Sequence, residues 1–308
     1  MAERPLILFT NDDGIASPGL WAAVEAFSDL GDLLVVAPRE QQSGTARSLP
    51  VTSEGRIYER EMVIKGVTRT VYAVDGTPAQ AVQHGVFELA DRKPALCVSG
   101  INYGDNVGNG VTISGTVGAA LEAASLGIPA LAMSQQTPTD LHLSYSNDVD
   151  FTAAAHFARQ FGEWAIFNRR PDDVDVLKID VPRGATPATE WKITRVSRRR
   201  VYWPTRPERV ALNDVGRMGY RFDADPSIAE PDSDVYVLLH EGKVSVTPLS
   251  LDLTARTDPY RLHQILTGAA QYANGTNGRH GTPADENVEK IAKQTRKKKS
   301  TAAAAGKA

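Results

Sequence analysis

Short apolar runs alternate with amphipathic segments along the first 181 residues of the chain. The runs are bounded by turn residues and contain few polar positions, which is typical of strands buried on both faces. They lie at 5–9, 33–37, 94–98, 128–133 and 174–181. The segments between them, such as 18–27, 117–126 and 151–164, carry apolar residues at helical spacing. This order predicts β-α-β units with right-handed crossovers and a parallel sheet.

Two other parts of the chain alternate as antiparallel strands do. Residues 51–75 predict a hairpin or meander, and residues 190–265 contain the alternating segments 235–239 and 244–247. The predicted fold class is α/β, a Rossmann-like mostly parallel sheet with an antiparallel β-hairpin extension at about 190–265. We predict one domain over 1–268.

Charge separates the last forty residues from the rest. Residues 269–308 contain 8 Lys and Arg against 3 Asp and Glu, whereas residues 1–268 contain 26 against 34. The tail lacks apolar residues to bury and is predicted to be a disordered basic segment. An acidic body argues against a nucleic-acid footprint on the fold itself.

Composition also excludes some cellular settings. No apolar run approaches the length of a membrane span, and the N-terminus lacks the features of a signal peptide. The single cysteine, Cys97, lies inside an apolar run and makes no internal disulfide. We therefore expect a cytoplasmic protein without membrane contact.

The first candidate chemistry is the pair of carboxylates in Thr10-Asn11-Asp12-Asp13-Gly14, directly after the first strand. Ligands bind at this edge of open α/β sheets. Two carboxylates held together repel unless a cation or a proton lies between them. The alternative is that Asn, Asp and Gly are simply turn formers.

Oxygen-bearing side chains follow two more strands. Ser43 lies in a polar loop after the second strand, and Asn102 and Asn106 follow the strand at 94–102. With Asp12 and Asp13 they form an oxygen-only set, which suits one Mg²⁺ or Mn²⁺ ion rather than zinc.

Ser114-Gly115-Thr116 opens a helix at the same predicted edge. Free main-chain N–H groups, two hydroxyls and the positive end of the helix dipole would hold a phosphate. The alternative is an ordinary helix cap. No Gly-Lys-Ser/Thr follows a glycine loop, and the first loop lacks G-x-G-x-x-G, so neither a P-loop nor the usual dinucleotide site is predicted. Metal ligands beside an anion pocket favour phosphate ester chemistry.

At these residues the chain resembles the SurE family of stationary-phase survival proteins, which are metal-dependent 5′/3′-nucleotidases. The motifs that carry the resemblance are Thr10 to Gly14, Ser99-Gly100-Ile101-Asn102-Tyr103-Gly104-Asp105-Asn106, and Ser114 to Val117. It continues weakly at Lys178 to Pro182 and at Val246 to Leu249. The family usually has Asp and Cys where Gln80 and Ala81 stand here, and Tyr where Ile113 stands.

The resemblance implies a hydrolase of phosphoric monoesters that acts on nucleoside 5′- and 3′-monophosphates. Whether short polyphosphate is a further substrate is left open by the sequence. It implies that Asp12, Asp13, Ser43 and Asn102 bind the metal and that Asn106, Ser114, Gly115 and Thr116 surround the phosphate. It also implies a homodimer or homotetramer assembled through hairpins and C-terminal swapping.

We assign catalytic roles to four of these residues. Asp13 would accept the proton of the attacking water, and Asn106, Ser114 and Thr116 would stabilise charge on the transferring phosphoryl group. The alternative function is a non-catalytic binding protein that its basic tail recruits to nucleic acid or to an acidic partner.

Overall fold

The computed structural model describes residues 3–142, 144–222 and 225–268. Within these residues, nine strands form one sheet in the order β3-β4-β2-β1-β5-β6-β7-β11-β8, and β9 and β10 form a separate pair. The strands are β1 (Leu6–Thr10), β2 (Asp32–Pro38), β3 (Ile57–Ile64), β4 (Val67–Val74), β5 (Leu96–Tyr103), β6 (Ala130–Gln135), β7 (Val176–Val181), β8 (Trp191–Ile193), β9 (Tyr202–Thr205), β10 (Gly219–Phe222) and β11 (Val244–Leu249).

The six α-helices of the described residues are α1 (Pro18–Ala26), α2 (Pro78–His84), α3 (Gly115–Ser125), α4 (Thr152–Phe167), α5 (Asp234–Leu239) and α6 (Pro259–Leu266). Proline starts both α1 and α2, as the Ser-Pro and Thr-Pro pairs indicate. At α2 the side chains of Thr77 and Gln80 form a capping box, so Gln80 completes the helix start.

The central strands are parallel and covered on both faces. Strands β4, β2, β1, β5, β6 and β7 pair in parallel. Side chains of α1 and α4 pack on one face in a core that includes Phe9 and Phe157, and those of α2 and α3 pack on the other around Leu8 and Val117. The predicted Rossmann-like α/β class is confirmed.

The extension after β7 is mixed. Strand β11 pairs antiparallel with β7, and β9 pairs antiparallel with β10, as the alternation predicted. Strand β8, however, pairs in parallel with β11. The hairpin predicted within 51–75 is formed by β3 and β4.

One predicted strand is wrong. The segment 235–239 is helical in α5 and not extended. The Ser233 side chain accepts a hydrogen bond from the main-chain N–H of Tyr236, which caps the helix, and Val235, Val237 and Leu238 are buried. A five-residue apolar run has too few positions to separate the two periodicities, so the cap decided the structure.

The chain divides into two compact units, Met1–Asp252 and Leu253–Ala308. Over its described residues the second unit contains α6, which begins at the cap Asp258 and buries none of its side chains. The predicted tail, 269–308, lies outside the described residues, and the 1–268 domain stays a prediction. Within the described ranges, no helix has the length and apolar character required to cross a membrane.

Candidate active site

Three loops meet at the carboxyl edge of neighbouring parallel strands. They follow β2, β1 and β5, which are adjacent in the sheet. Asp12, Ser43 and Asn106 from these loops, Asn102 from the end of β5 and Ser114 from the start of α3 all line one cavity of about 670 Å³. The structure therefore brings together side chains that are up to a hundred residues apart in sequence.

Asp12 lies under the start of α3. It is 4% exposed, and its Oδ1 accepts a hydrogen bond from the hydroxyl of Thr116. Burial raises the pKa of Asp12, and hydrogen bonds from Thr116 and Gly115 partly offset that shift. A Cβ atom at Gly115 would lie 2.6 Å from the Cβ of Asp12, so only glycine allows the helix to approach this closely.

Asp13 is held by a main-chain N–H group and by the side chain of Gln41. Its Oδ2 accepts from the main-chain N–H of Tyr103 at 3.2 Å, and its Oδ1 is 3.4 Å from the amide nitrogen of Gln41. Burial, and then the charge of Asp12, raise the pKa of Asp13 well above its usual range. The hydroxyl of Tyr145 donates to the Asp13 carbonyl at 2.7 Å and covers the turn.

The start of α3 serves two purposes. The Ser114 hydroxyl accepts from the main-chain N–H of Val117 at 3.2 Å, so Ser114 is a helix cap, and it also lines the cavity. Gly115 and Thr116 are not cavity residues, because they pack behind Asp12. The capping alternative and a phosphate contact at Ser114 are thus compatible.

The loop that carries Ser43 is fixed to α3. The main-chain N–H of Gln42 donates to the Asp12 carbonyl at 2.7 Å, and that of Ala46 donates to the Ile113 carbonyl at 3.2 Å. Arg47 Nε lies 2.6 Å from a carboxylate oxygen of the buried Glu122. These contacts hold Ser43 at the cavity wall.

Asn102, near the end of β5, and Asn106, after it, are oriented by hydrogen bonds. Asn102 Nδ2 donates to the Gly104 carbonyl at 2.8 Å, which fixes the orientation of its Oδ1, an acceptor. Asn106 Nδ2 donates to Ser134 Oγ at 2.8 Å, and its main-chain N–H donates to Asp180 at 2.8 Å.

A buried charge cluster beneath this loop was missed by the sequence analysis. Lys178, Asp180 and Asp234 are fully buried, and Lys178 pairs with both carboxylates, at 3.2 Å to Asp234. Asp234 also accepts from the main-chain N–H of Gly108 at 3.1 Å. The signal in the sequence was a Lys and an Asp two residues apart in an otherwise apolar strand. No such signal marked Asp234, because it belongs to a helix far along the chain.

Asp105 joins this cluster from the loop. It accepts from the hydroxyl of Tyr202 at 2.9 Å. Burial, followed by the charge of Asp180, raises the pKa of Asp105 to about 7. The loop is therefore held by a network whose charges lie beneath it.

The donor set fits a hard divalent cation. Within the described ranges neither Asp12 nor Asp13 has an ion-pair partner, although both are buried and their pKa values are raised. No group of three or more His, Cys, Asp or Glu side chains in those ranges is arranged for a metal, so the two carboxylates would need hydroxyl and amide oxygens beside them. Ser43 and Asn102 supply those oxygens, which suits Mg²⁺ or Mn²⁺.

Comparisons with known proteins show what the chain is similar to. The family model described as Survival protein SurE matches residues 7–202. A 5′-nucleotidase SurE of Thermococcus gammatolerans is 40% identical over 273 residues, covering 85% of this chain and 96% of that protein. One from Archaeoglobus fulgidus is 40% identical over 254 residues, covering 82% and 94%. The crystal structure of SurE from Aquifex aeolicus superimposes with a TM-score of 0.64 at 32% identity, covering 86% and 99%.

Proposed function

The chain belongs to the SurE family, and from that membership we propose that it releases inorganic phosphate from nucleoside 5′- and 3′-monophosphates. It is a hydrolase of phosphoric monoesters. Short polyphosphate is a further proposed substrate. The observation that supports the proposal most directly is the buried carboxylate of Asp12, which lines the cavity beside the start of α3, with the buried carboxylate of Asp13 next to it in sequence. Neither has an ion-pair partner among the described residues.

We propose that one Mg²⁺ or Mn²⁺ ion is held by Asp12, Asp13, Ser43 and Asn102. When bound, the cation supplies positive charge that polarises a phosphoryl oxygen. Family membership implies a divalent metal, and the oxygen donors described above fit one.

Asn106 and Ser114, which line the same cavity as Asp12, bind the phosphoryl group. The side chain of Asn106 is fixed by Ser134, and the main chain of Asn106 is fixed by Asp180. Asn106 therefore loses little conformational freedom when a ligand binds. The start of α3 directs the positive end of its dipole towards the same place. Gly115 supplies the close approach of main chain, and Thr116 holds Asp12.

Asp13 is the proposed proton acceptor. Its Oδ2 is committed to the N–H of Tyr103, whereas its Oδ1 has only the long contact to Gln41. A proton taken from the attacking water would go to Oδ1.

The test is a phosphate-release panel. The protein is dialysed against EDTA, divided, and assayed with no metal, Mg²⁺ or Mn²⁺ on nucleoside 5′- and 3′-monophosphates, a generic phosphomonoester and tripolyphosphate. We expect no turnover without metal and restored turnover of the nucleotides with either ion. Full turnover after exhaustive chelation, with no metal found by elemental analysis, would contradict the metal site.

We also propose a cytoplasmic homodimer or homotetramer. The connection between β9 and β10 exposes large apolar side chains, which commonly mark contact surfaces. They are Val210, Leu212, Val215 and Met218. Light scattering on the full chain would measure its mass in solution.

A further inference from the structure

The cavity extends well past the metal and phosphate residues. One part of its wall contains Tyr202, Pro204 and Tyr220 from the β9–β10 pair, together with His142 and Arg200. None of these residues belongs to the proposed metal or phosphate set. A cavity of about 670 Å³ has room for more than a phosphate group.

Three aromatic rings of this wall are already packed together. The rings of His142 and Tyr220 are stacked, with centroids 6.3 Å apart and planes at 22°, and Tyr202 meets Tyr220 edge-on at 5.8 Å. The Tyr220 hydroxyl lies 3.1 Å from His142 Nδ1, and the Tyr202 hydroxyl is anchored on Asp105. Tyr202 and His142 therefore support Tyr220, whose side chain remains 48% exposed.

The rings are uncharged near neutral pH. Burial lowers the pKa of His142 and raises that of Tyr220. Arg200 also lines the cavity, but its Nε donates to the Tyr202 carbonyl at 2.9 Å and its guanidinium lies 5.7 Å from the Trp203 ring centroid. A neutral, partly exposed aromatic surface suits a flat aromatic ligand rather than a second phosphate.

We propose that Tyr220, supported by Tyr202 and His142, is the subsite for the nucleobase of the substrate and that it binds the base by ring stacking. This inference rests on the proposed nucleotidase function and deepens it. Stacking accepts every base because every base has a π-face, so the subsite selects nucleotides over esters without a base and discriminates little among bases. Tyr220 is a binding residue, and the chemistry at the metal end does not depend on it.

The experiment compares two substrates that differ only in the base, adenosine 5′-monophosphate and ribose 5-phosphate. The wild type should prefer the nucleotide. Tyr220→Leu removes the π-face at similar bulk and should lower kcat/KM for the nucleotide about tenfold to a hundredfold, mainly through KM, the range expected for one base–aromatic stack. Turnover of ribose 5-phosphate should stay unchanged.

Tyr220→Phe keeps the ring and should keep the preference. Tyr260→Leu is a matched control, because Tyr260 is an exposed tyrosine of α6 that is not a cavity residue. Adenosine itself should inhibit the wild type competitively, and its inhibition constant should rise in Tyr220→Leu by the same factor as KM.

Two results would overturn the inference in distinguishable ways. A wild type that hydrolyses neither ester, with metal present, overturns the proposed function and the subsite together. A wild type that hydrolyses both, with a substrate ratio that Tyr220→Leu leaves unchanged, overturns the subsite alone.

Discussion

The carboxylate of Asp12 faces the start of α3, where an incoming phosphate would also bind. Two anions at one helix end repel each other unless a cation lies between them. The burial of both Asp12 and Asp13 strengthens that repulsion, because little water screens it. The pair therefore disfavours the metal-free state and favours the metal-bound one.

Asp12→Asn and Asp13→Asn should separate metal binding from proton acceptance. Each removes one charge at nearly constant size, and we expect kcat/KM to fall by roughly two to four orders of magnitude at limiting Mn²⁺, about 3–5 kcal/mol. Stability without metal should stay level or rise, because burial raises the pKa of both groups in the folded protein. Phosphate release and thermal melting with and without Mn²⁺ measure both effects.

Excess Mn²⁺ should rescue Asp12→Asn, which loses affinity, but not Asp13→Asn, which also loses the proton acceptor. Asp148→Asn is the control, since Asp148 lies on the exposed segment beside the site. Near-normal turnover of both variants at limiting metal would refute the site.

Asp105→Asn should change how stability depends on pH. The folded protein holds the Asp105 proton up to about pH 7. The contribution of Asp105 to the free energy of unfolding is therefore fully present below about pH 4 and is lost as pH rises through 7. At about 1.4 kcal/mol per pKa unit, the free energy of unfolding of the variant should rise by roughly 4 kcal/mol relative to that of the wild type between pH 4 and pH 8. The side-chain oxygen of the introduced Asn can still accept the hydrogen bond from the Tyr202 hydroxyl.

Urea unfolding of both proteins across this pH range is the measurement. Asp172→Asn, at a side chain 97% exposed, should leave the profile unchanged. Parallel wild-type and Asp105→Asn profiles would show that Asp105 is already ionised in the folded protein at low pH.

The loop after β2 depends on its contact with α3. The main chain of Ala46 and Arg47 passes directly over Gly118, where an added Cβ would lie 2.3 Å from the Ala46 carbonyl carbon. Main chain cannot yield as a flexible side chain can. The position of Ser43 is therefore set by the absence of a side chain on the helix beneath it.

Gly118→Ala should destabilise the protein by about 1–3 kcal/mol, as overpacking does, although Ala ordinarily favours a helix over Gly. We expect weaker metal binding as Ser43 is displaced, measured by Mn²⁺ titration of turnover and by denaturant unfolding. Gly110→Ala, which meets no atom within 4 Å, should be close to neutral. A stabilised Gly118→Ala with normal metal affinity would show that the loop is not fixed by this contact.

An element is predicted well from the sequence when nearby residues determine its structure, and poorly when contacts with distant residues do. The loops with Asp12, Ser43 and Asn102 were placed at one edge correctly, because the order of parallel strands follows from local patterns and crossover handedness. Segment 235–239 was misassigned because a cap outweighed a short apolar run. Lys178, Asp180 and the ring of Tyr220 were not assigned to the site, because tertiary pairing between distant strands brings them there. The roles of the eight site residues stay predictions.

Charge is distributed unevenly over the whole molecule. Residues 1–268 carry the acidic excess, and the basic residues of 269–308 stand outside the described structure. If the alternative binding function were correct, that segment would be essential.

Removal of residues 273–308 should leave folding and turnover nearly unchanged, because Val288 and Ile291 are the only large apolar side chains of that segment. Melting temperature and kcat of the truncated and full chains provide the comparison. Aggregation of the truncated protein, or loss of most of its kcat, would show that the segment packs on the body. Salt-sensitive nucleic-acid association by the full chain, without turnover, would favour the alternative function.

The hydrogen bonds from Asn106 to Asp180 and from Gly108 to Asp234 join the site to parts of the chain that are synthesised later. Every predicted ligand has been translated by Thr116, yet the main chain of the loop that presents Asn106 meets Asp180 only 64 residues later and Asp234 only 118 residues later. A growing chain therefore carries a complete set of ligands before the groups that hold them in place exist. A chain released before Asp234 should hydrolyse nothing, although every predicted ligand is present in it.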